Sequence, residues 1–161
     1  MWTISALNTS SELCLFEAFG EAWRQPDGAL DTGYYPVRVN EVFASKQWQE
    51  VDREVFRQNW SIIVDLNPAW FVYYTPMVFL SAVEESRVPQ YMHDSGWIAL
   101  FVPGSMFDGA FSENGKSKLN CAQSNCLISV ASLLDAVKYP TDEVRVLGGF
   151  EVLLRRFIGG A

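Results

Sequence analysis

The chain has 161 residues, of which 49% are hydrophobic and 14% aromatic, and this size and composition predict one folded domain spanning residues 1–161. Its 19 acidic residues outnumber 12 Lys and Arg residues, which gives a formal net charge of −7 and a pI of about 4.6. This balance argues against a nucleic-acid partner, because duplex binding depends on Lys and Arg, and the apolar content excludes pervasive disorder.

The N-terminal sequence MWTISALNTSSE lacks the basic and long apolar regions of a signal peptide, so we expect a cytoplasmic protein. Thr9 and Glu12 have the spacing of a capping box, which predicts a helix that begins there and continues to about Arg24. The apolar stripe of this helix is predicted to contain Leu13, Phe16, Phe19, Gly20 and Trp23.

Residues 26–38 contain two prolines and two glycines and predict a long loop. We expect a short helix after Asn40 and a second helix over about 49–59. The inward face of the second helix is predicted to consist of Trp48, Val51, Val55 and Phe56. Its charged side chains Asp52, Glu54 and Arg57 are expected to pair along the surface.

The segment from Leu66 to Val83 runs 18 residues without a charge and predicts the buried central helix of the fold, over about 67–85. Asn67-Pro68 is a favourable helix start, since proline at the first helical position loses no hydrogen bond. Pro76 should kink the helix, and Thr75 or a nearby tyrosine hydroxyl should satisfy a backbone group freed there. Two internal prolines and acidic flanks argue against a membrane span.

The C-terminal half carries weaker signals until Asn120. Residues 97–102 fit either a short strand or a buried helical turn, and 103–119 predict a long loop. A clear helix follows from Asn120 to before Pro140, with inward residues Cys126, Val130, Leu133, Leu134 and Val137. A last helix after Thr141 should carry Val144, Leu147, Val152 and Leu153, weakened by Gly148-Gly149. Together these elements predict a mainly α single-domain bundle with long loops.

Part of this pattern resembles a family of small, mostly helical bacterial proteins known only as a domain of unknown function. The resemblance lies in Lys46-Gln47-Trp48, Leu66-Asn67-Pro68-Ala69, 73–80 (YYTPMVFL), Leu119-Asn120, Gln123 and Leu133-Leu134. Members of that family often stand beside toxin and secretion genes, so the resemblance implies an immunity-type role. It implies no catalytic residues.

Few residues have the chemistry of an active site. His93 is the lone histidine and its neighbour Asp94 points elsewhere in regular structure, so we expect an ordinary histidine rather than a general base. The spacing of Cys14, Cys121 and Cys126 matches neither a zinc site nor a redox motif, and reduced thiols are expected. We therefore predict no catalytic, metal-binding or cofactor-binding residue and no enzymatic activity. The aromatic residues Trp60, Trp70, Tyr73 and Tyr74 fit either a ligand pocket or, better, the core.

Acidic residues are the remaining candidates for function. Residues 1–100 carry 13 acids and 6 bases, whereas 101–161 carry six of each. This asymmetry predicts either a field that attracts a basic partner or an ordinary solvated surface. Glu84 and Glu85 are at the C-terminal end of the central helix, where negative charges interact unfavourably with the helix dipole. This unfavourable placement either marks a binding site or is tolerated because Arg87 is near and solvent screens the charges.

These observations lead to an expected function: an immunity-type protein that neutralises a bacterial toxin domain by binding its basic site through an acidic surface, without nucleic acid or membrane. The candidate partner-binding residues are Asp52, Glu54, Glu84, Glu85, Asp94 and Asp108. The alternative is a small-molecule binder or enzyme with a pocket at the edge of the aromatic core. A third hypothesis, a scaffold subunit, predicts a large exposed apolar patch.

Overall fold

Helices make up most of the computed structural model, which describes residues 4–20, 23–30, 33, 36–88, 119–137 and 149–157. The α-helices are α1 (Ile4–Ala18), α2 (Pro36–Phe43), α3 (Arg53–Gln58), α4 (Pro68–Tyr73), α5 (Thr75–Glu85), α6 (Cys121–Ala136) and α7 (Phe150–Phe157). Two 3-10 segments, Trp48–Glu50 and Trp60–Asp65, connect them. These ranges contain no sheet, so the predicted mainly α fold is confirmed, while the ambiguous segment 97–102 lies outside them.

The two consecutive helices α4 and α5 form the buried axis, as the uncharged segment predicts. Every residue from 71 to 83 is buried. The chain breaks at Tyr74, and Pro76, which has no N–H to donate, lies in the first turn of α5. Thr75 Oγ1 donates a hydrogen bond to the Phe71 carbonyl at 3.2 Å. The predicted break is therefore confirmed, but the Thr75 hydroxyl bonds to the Phe71 carbonyl and not to the Val72 carbonyl, the group four residues before Pro76, which accepts from the Tyr74 N–H.

Around this axis, α5 contacts α1, α3 and α6, and α6 in turn contacts α1 and α7. Large aromatic side chains fill the contacts between these helices. Phe79 of α5 meets Phe150 of α7 edge to face, with ring centroids 5.8 Å apart. The largest fully buried side chains are Trp48, Tyr73, Tyr74, Phe19, Phe43, Phe56, Phe71 and Phe79.

Helix α1 ends at Ala18 and not near Arg24, and the predicted apolar stripe is confirmed only beyond that end, where Phe19 and Trp23 are buried. It begins at Ile4, so Thr9 and Glu12 lie inside the helix rather than at its start. Leu13 is 56% exposed and Phe16 42% exposed, whereas Leu15 is fully buried. The apolar residues of this helix occur on both sides, so their spacing alone could not select the face that α5 and α6 cover.

Two further element boundaries differ from the prediction. Helix α2 begins at Pro36, not after Asn40, because proline suits the first position of a helix. The predicted helix over 49–59 is divided, since Asp52 caps α3 by accepting hydrogen bonds from the N–H groups of Glu54 (3.0 Å) and Val55 (3.2 Å). Trp48, Val51 and Phe56 are buried as predicted, but the restart turns Val55 outward, where it is 39% exposed.

Helix α6 follows the prediction closely. Asn120 caps it in a reciprocal pair with Gln123, each side chain accepting from the other residue's backbone N–H, at 2.8 and 2.9 Å. Cys126, Val130 and Leu134 are buried, with Leu133 and Val137 half-buried.

A carboxylate of α6 in turn caps α7. Asp135 accepts hydrogen bonds from the N–H groups of Phe150 (2.7 Å) and Glu151 (3.0 Å). Gly149, at φ +100°, brings the chain into this position, and a Cβ there would lie 3.1 Å from the carboxylate. The last helix was predicted to begin after Thr141, and the described helix begins at Phe150, while residues 138–148 lie outside the described ranges. Val152, which was predicted to face inward, is 41% exposed.

Removing this interhelical cap should destabilise the packing of α7. We expect Asp135→Ala to lower the free energy of unfolding by about 1–2 kcal/mol, because two helix N–H groups lose their acceptor and the helix dipole loses its anion. Urea unfolding followed by circular dichroism measures this change. The exposed acid Glu17, replaced by Ala, is the control, and equal stability of the two variants would contradict the capping role.

The expectation of three reduced thiols is overturned. Cys14 of α1 and Cys126 of α6 form a disulfide bond with a Cα–Cα separation of 5.9 Å, within the usual range. Cys121 is free and exposed. The pairing depends on the contact of α1 with α6 across 112 residues, which no local spacing in the sequence reveals.

Candidate functional site

A concave surface lies where the chain leaves α1 and passes the first 3-10 segment. Its main cavity has a volume of about 670 Å³, and we name it the amide groove because three glutamine side chains line it. The lining residues are Gly20, Trp23, Arg24, Gln25, Gln47, Gln49 and Glu50. An adjoining cavity of about 490 Å³ shares Trp23, Arg24 and Gln25 and reaches Tyr73 on α4. The groove thus borders the aromatic core.

Indole hydrogen bonds hold the walls of the amide groove in place. Trp23 Nε1 donates to the Tyr73 carbonyl at 2.9 Å, and Trp48 Nε1 donates to the Phe19 carbonyl at 3.0 Å. Gln25 Nε2 donates to the Lys46 carbonyl at 3.0 Å, which ties the connection after α1 to the segment before the 3-10 turn. The groove is therefore formed by side chains that are already positioned without a ligand.

The tyrosines beside the groove serve the fold. Tyr73 Oη donates to Gln47 Oε1 at 2.8 Å and accepts from the Trp48 N–H at 3.1 Å, and Tyr74 Oη donates to the Lys46 carbonyl at 2.8 Å. Burial raises the pKa of both hydroxyls, and the negative charge of Glu50 adds to the rise. They stay protonated donors. The core interpretation is confirmed for Tyr73 and Tyr74, whereas Trp60 and Trp70 are half-buried against the core.

Three polar groups of the amide groove lack full partners. Gln49 Oε1 is buried and accepts no hydrogen bond, a state that costs about 1–3 kcal/mol. Glu50 accepts one hydrogen bond, from the Gln47 N–H at 2.7 Å, and is exposed. Within the described ranges neither Glu50 nor Arg24 makes an ion pair, so the groove contains an anion and a cation that do not neutralise each other.

A second depression, of about 480 Å³, adjoins the groove through Gln49 and Glu50, and we name it the acidic depression. Glu84 forms ion pairs with both arginines of this depression. Its Oε1 lies 2.7 Å from Arg53 Nε, and its Oε2 lies 3.3 Å from Arg57 Nη1. The lining residues are Gln49, Glu50, Val51, Asp52, Arg53, Glu54, Arg57 and Glu84, which carry a net charge of −2.

Three of the six candidate acids meet in the acidic depression, namely Asp52, Glu54 and Glu84. Glu85 faces the core and is 3% exposed, so its carboxylate is not presented on the surface. Asp94 and Asp108, like His93, lie outside the described residues.

The ion pairs near these acids differ from those expected. Arg87 pairs with Glu12 of α1, so it does not offset the acids at the end of α5. Arg57 reaches across to Glu84 instead of pairing along α3 with Asp52 or Glu54. Arg24, Gln49 and Glu50 were not predicted as site residues, because the groove forms only where the chain after α1 meets the 3-10 segment Trp48–Glu50.

The described ranges hold no group of three or more His, Cys, Asp or Glu side chains able to bind a metal ion. No helix in those ranges is both long and apolar enough to cross a bilayer. Large exposed apolar side chains there come from several elements, namely Leu13, Phe16, Val37, Val55, Val88 and Val152.

Comparison with family models, curated proteins and solved structures finds no match to this chain. The resemblance to a small bacterial family stays a prediction.

Proposed function

We propose that this protein is an immunity-type binding protein, which neutralises a cognate bacterial toxin domain by covering a basic site with its acidic depression. The observation that carries the proposal is the pairing of Arg53 and Arg57 with Glu84. Because that carboxylate takes both arginines, neither pairs with the exposed acids Asp52 and Glu54. Those two acids make no ion pair with any other described residue.

The arrangement suits capture of a positively charged surface. Both capping hydrogen bonds go to Oδ1 of the exposed Asp52, so this side chain has little conformational freedom to lose on binding. Exposed acids on one side of a molecule accelerate association with a basic partner, and complementary charge suppresses binding of acidic competitors. The nuclease barnase and its inhibitor barstar associate by such steering, and they serve here as an analogy.

Production in one cell with the product of the neighbouring gene tests the proposal. We expect that product alone to arrest growth, and this protein to restore growth and to copurify with it. Neutralising the acids by Asp52→Asn and Glu54→Gln retains the cap of α3, because asparagine also caps helices. This double variant should associate about fivefold to tenfold more slowly at low ionic strength, with a shallower salt dependence.

The matched control is Glu17→Gln with Glu41→Gln, which makes the same change in net charge at two exposed acids on α1 and α2. Equal association rates for the two double variants would remove the acidic depression from the interface. Charge reversal at Glu84 or Glu85 is a poorer test, since it would release Arg53 and Arg57 or place a cation in the core.

The proposal includes a cytoplasmic location, the compartment in which such a protein would meet a toxin that acts inside the cell. The disulfide between Cys14 and Cys126 argues against a cytoplasmic location, because the cytosol keeps thiols reduced. The acidic depression carries the same charges in either compartment.

A further inference from the structure

We propose that the amide groove is a binding site for a small zwitterion of the α-amino-acid type, whose ammonium group contacts Glu50 and Gln49 and whose carboxylate contacts Arg24. The groove adjoins the acidic depression and shares Gln49 and Glu50 with it, but the inference does not rest on the toxin-binding role.

The charges in the groove select a ligand of both signs. Arg24 and Glu50 line the same cavity without pairing with each other. A simple anion would be attracted by Arg24 and repelled by Glu50, and a simple cation would meet the reverse. A molecule with an ammonium group and a carboxylate satisfies both residues through charge-assisted hydrogen bonds.

The unsatisfied acceptor of Gln49 indicates where the ammonium group of the ligand would bind. Its Oε1 has no donor in the described structure, and buried polar atoms of native proteins are generally satisfied by protein, water or ligand. Rotation of the carboxamide towards the groove would let it accept from an ammonium N–H. Gln49 neighbours Glu50 in sequence and lines the same cavity, so both residues are available to one donor group.

The remaining lining and the size of the cavity fit a molecule of this class. Trp23 offers an apolar wall for a side chain. Gln25 and Gln47 add polar carboxamides to the lining, with Gln25 Nε2 and Gln47 Oε1 already bonded to the Lys46 carbonyl and to Tyr73 Oη. A volume of about 670 Å³ lies in the range of small-molecule sites and exceeds what one amino acid needs.

Titration of the ¹⁵N-labelled protein with L-glutamine, L-phenylalanine and L-arginine tests the inference. The Trp23 indole N–H, assigned with the Trp23→Phe variant, reports on the groove wall. We expect saturable shifts of this signal with a Kd on the order of 1 mM for at least one amino acid. The N-acetylated and C-amidated forms of the same amino acid should each bind about tenfold more weakly, because each lacks one charge.

Variants separate recognition from folding. Glu50→Gln and Arg24→Gln should each weaken binding of the free amino acid about tenfold, whereas Glu17→Gln and Arg155→Gln, on α1 and α7, should leave it unchanged. Gln49→Leu should weaken binding without lowering the Tm, since it removes an acceptor that the free protein leaves unsatisfied.

Three results would overturn the inference: no saturable shift up to about 20 mM ligand, equal binding of free and capped amino acids, or binding that survives both Glu50→Gln and Arg24→Gln. The double variant Asp52→Asn with Glu54→Gln should bind amino acids normally while capturing the toxin domain slowly. Failure of one site is therefore distinguishable from failure of the other.

Discussion

Loss of the disulfide between Cys14 and Cys126 is expected to lower the free energy of unfolding by about 2–5 kcal/mol. The bond closes a loop with a sequence separation of 112 residues, and the chain-entropy argument puts a loop of about this length near the upper end of that range. The bond also joins α1 to α6, two helices that contact each other around the axis. Urea unfolding with and without reductant measures the change, together with the double variant Cys14→Ser, Cys126→Ser.

Cys121 provides the internal control for this experiment. It is the free, exposed cysteine at the first position of α6, so Cys121→Ser should retain wild-type stability and the full sensitivity to reductant. Peptide mapping of the oxidised protein should find Cys14 linked to Cys126. A wild-type protein whose unfolding is insensitive to reductant, or a different linkage, would refute the predicted role of this bond.

The redox state of the same pair inside cells bears on location. Rapid alkylation of thiols before lysis traps the state present in the cell. Three alkylated cysteines would agree with the proposed cytoplasmic location, and a single alkylated cysteine would indicate an oxidising compartment. In the first case the protein would meet its partner without the stabilisation that the bond provides.

The parts of the fold that the sequence predicted correctly are those encoded by local signals. Pro68 marks the start of α4 because proline suits the first helical position, and Asn120 marks the start of α6 through hydrogen bonds with Gln123 that close within three residues. Pro76 breaks the central segment because it has no N–H, a property of one residue. An uncharged run with apolar residues on every side can only be buried, whichever way it turns.

The candidate site was predictable only in part, because it is assembled by tertiary contacts. Asp52 and Glu54 were identified as exposed acids near each other in sequence, and the structure places them in one depression. The pairing of Glu84 with Arg53 and Arg57 joins residues about 30 positions apart, and only the packing of α3 on α5 brings them together. The amide groove lies between the chain after α1 and the 3-10 segment Trp48–Glu50, two stretches that only tertiary hydrogen bonds bring together.

Helix α1 offers a direct test of which face the packing selects, because two of its leucines lie on opposite faces and have opposite environments. Leu15 is fully buried and Leu13 is 56% exposed, although the sequence predicted Leu13 as part of the inward stripe. Leu15→Ala should cost about 2–5 kcal/mol through lost burial and the cavity it leaves. Leu13→Ala should cost less than about 0.5 kcal/mol, since it changes an exposed position of the same helix. Urea unfolding of the two variants decides between the faces: equal costs, or a larger cost at Leu13, would show that α1 packs in the register that its spacing first suggested.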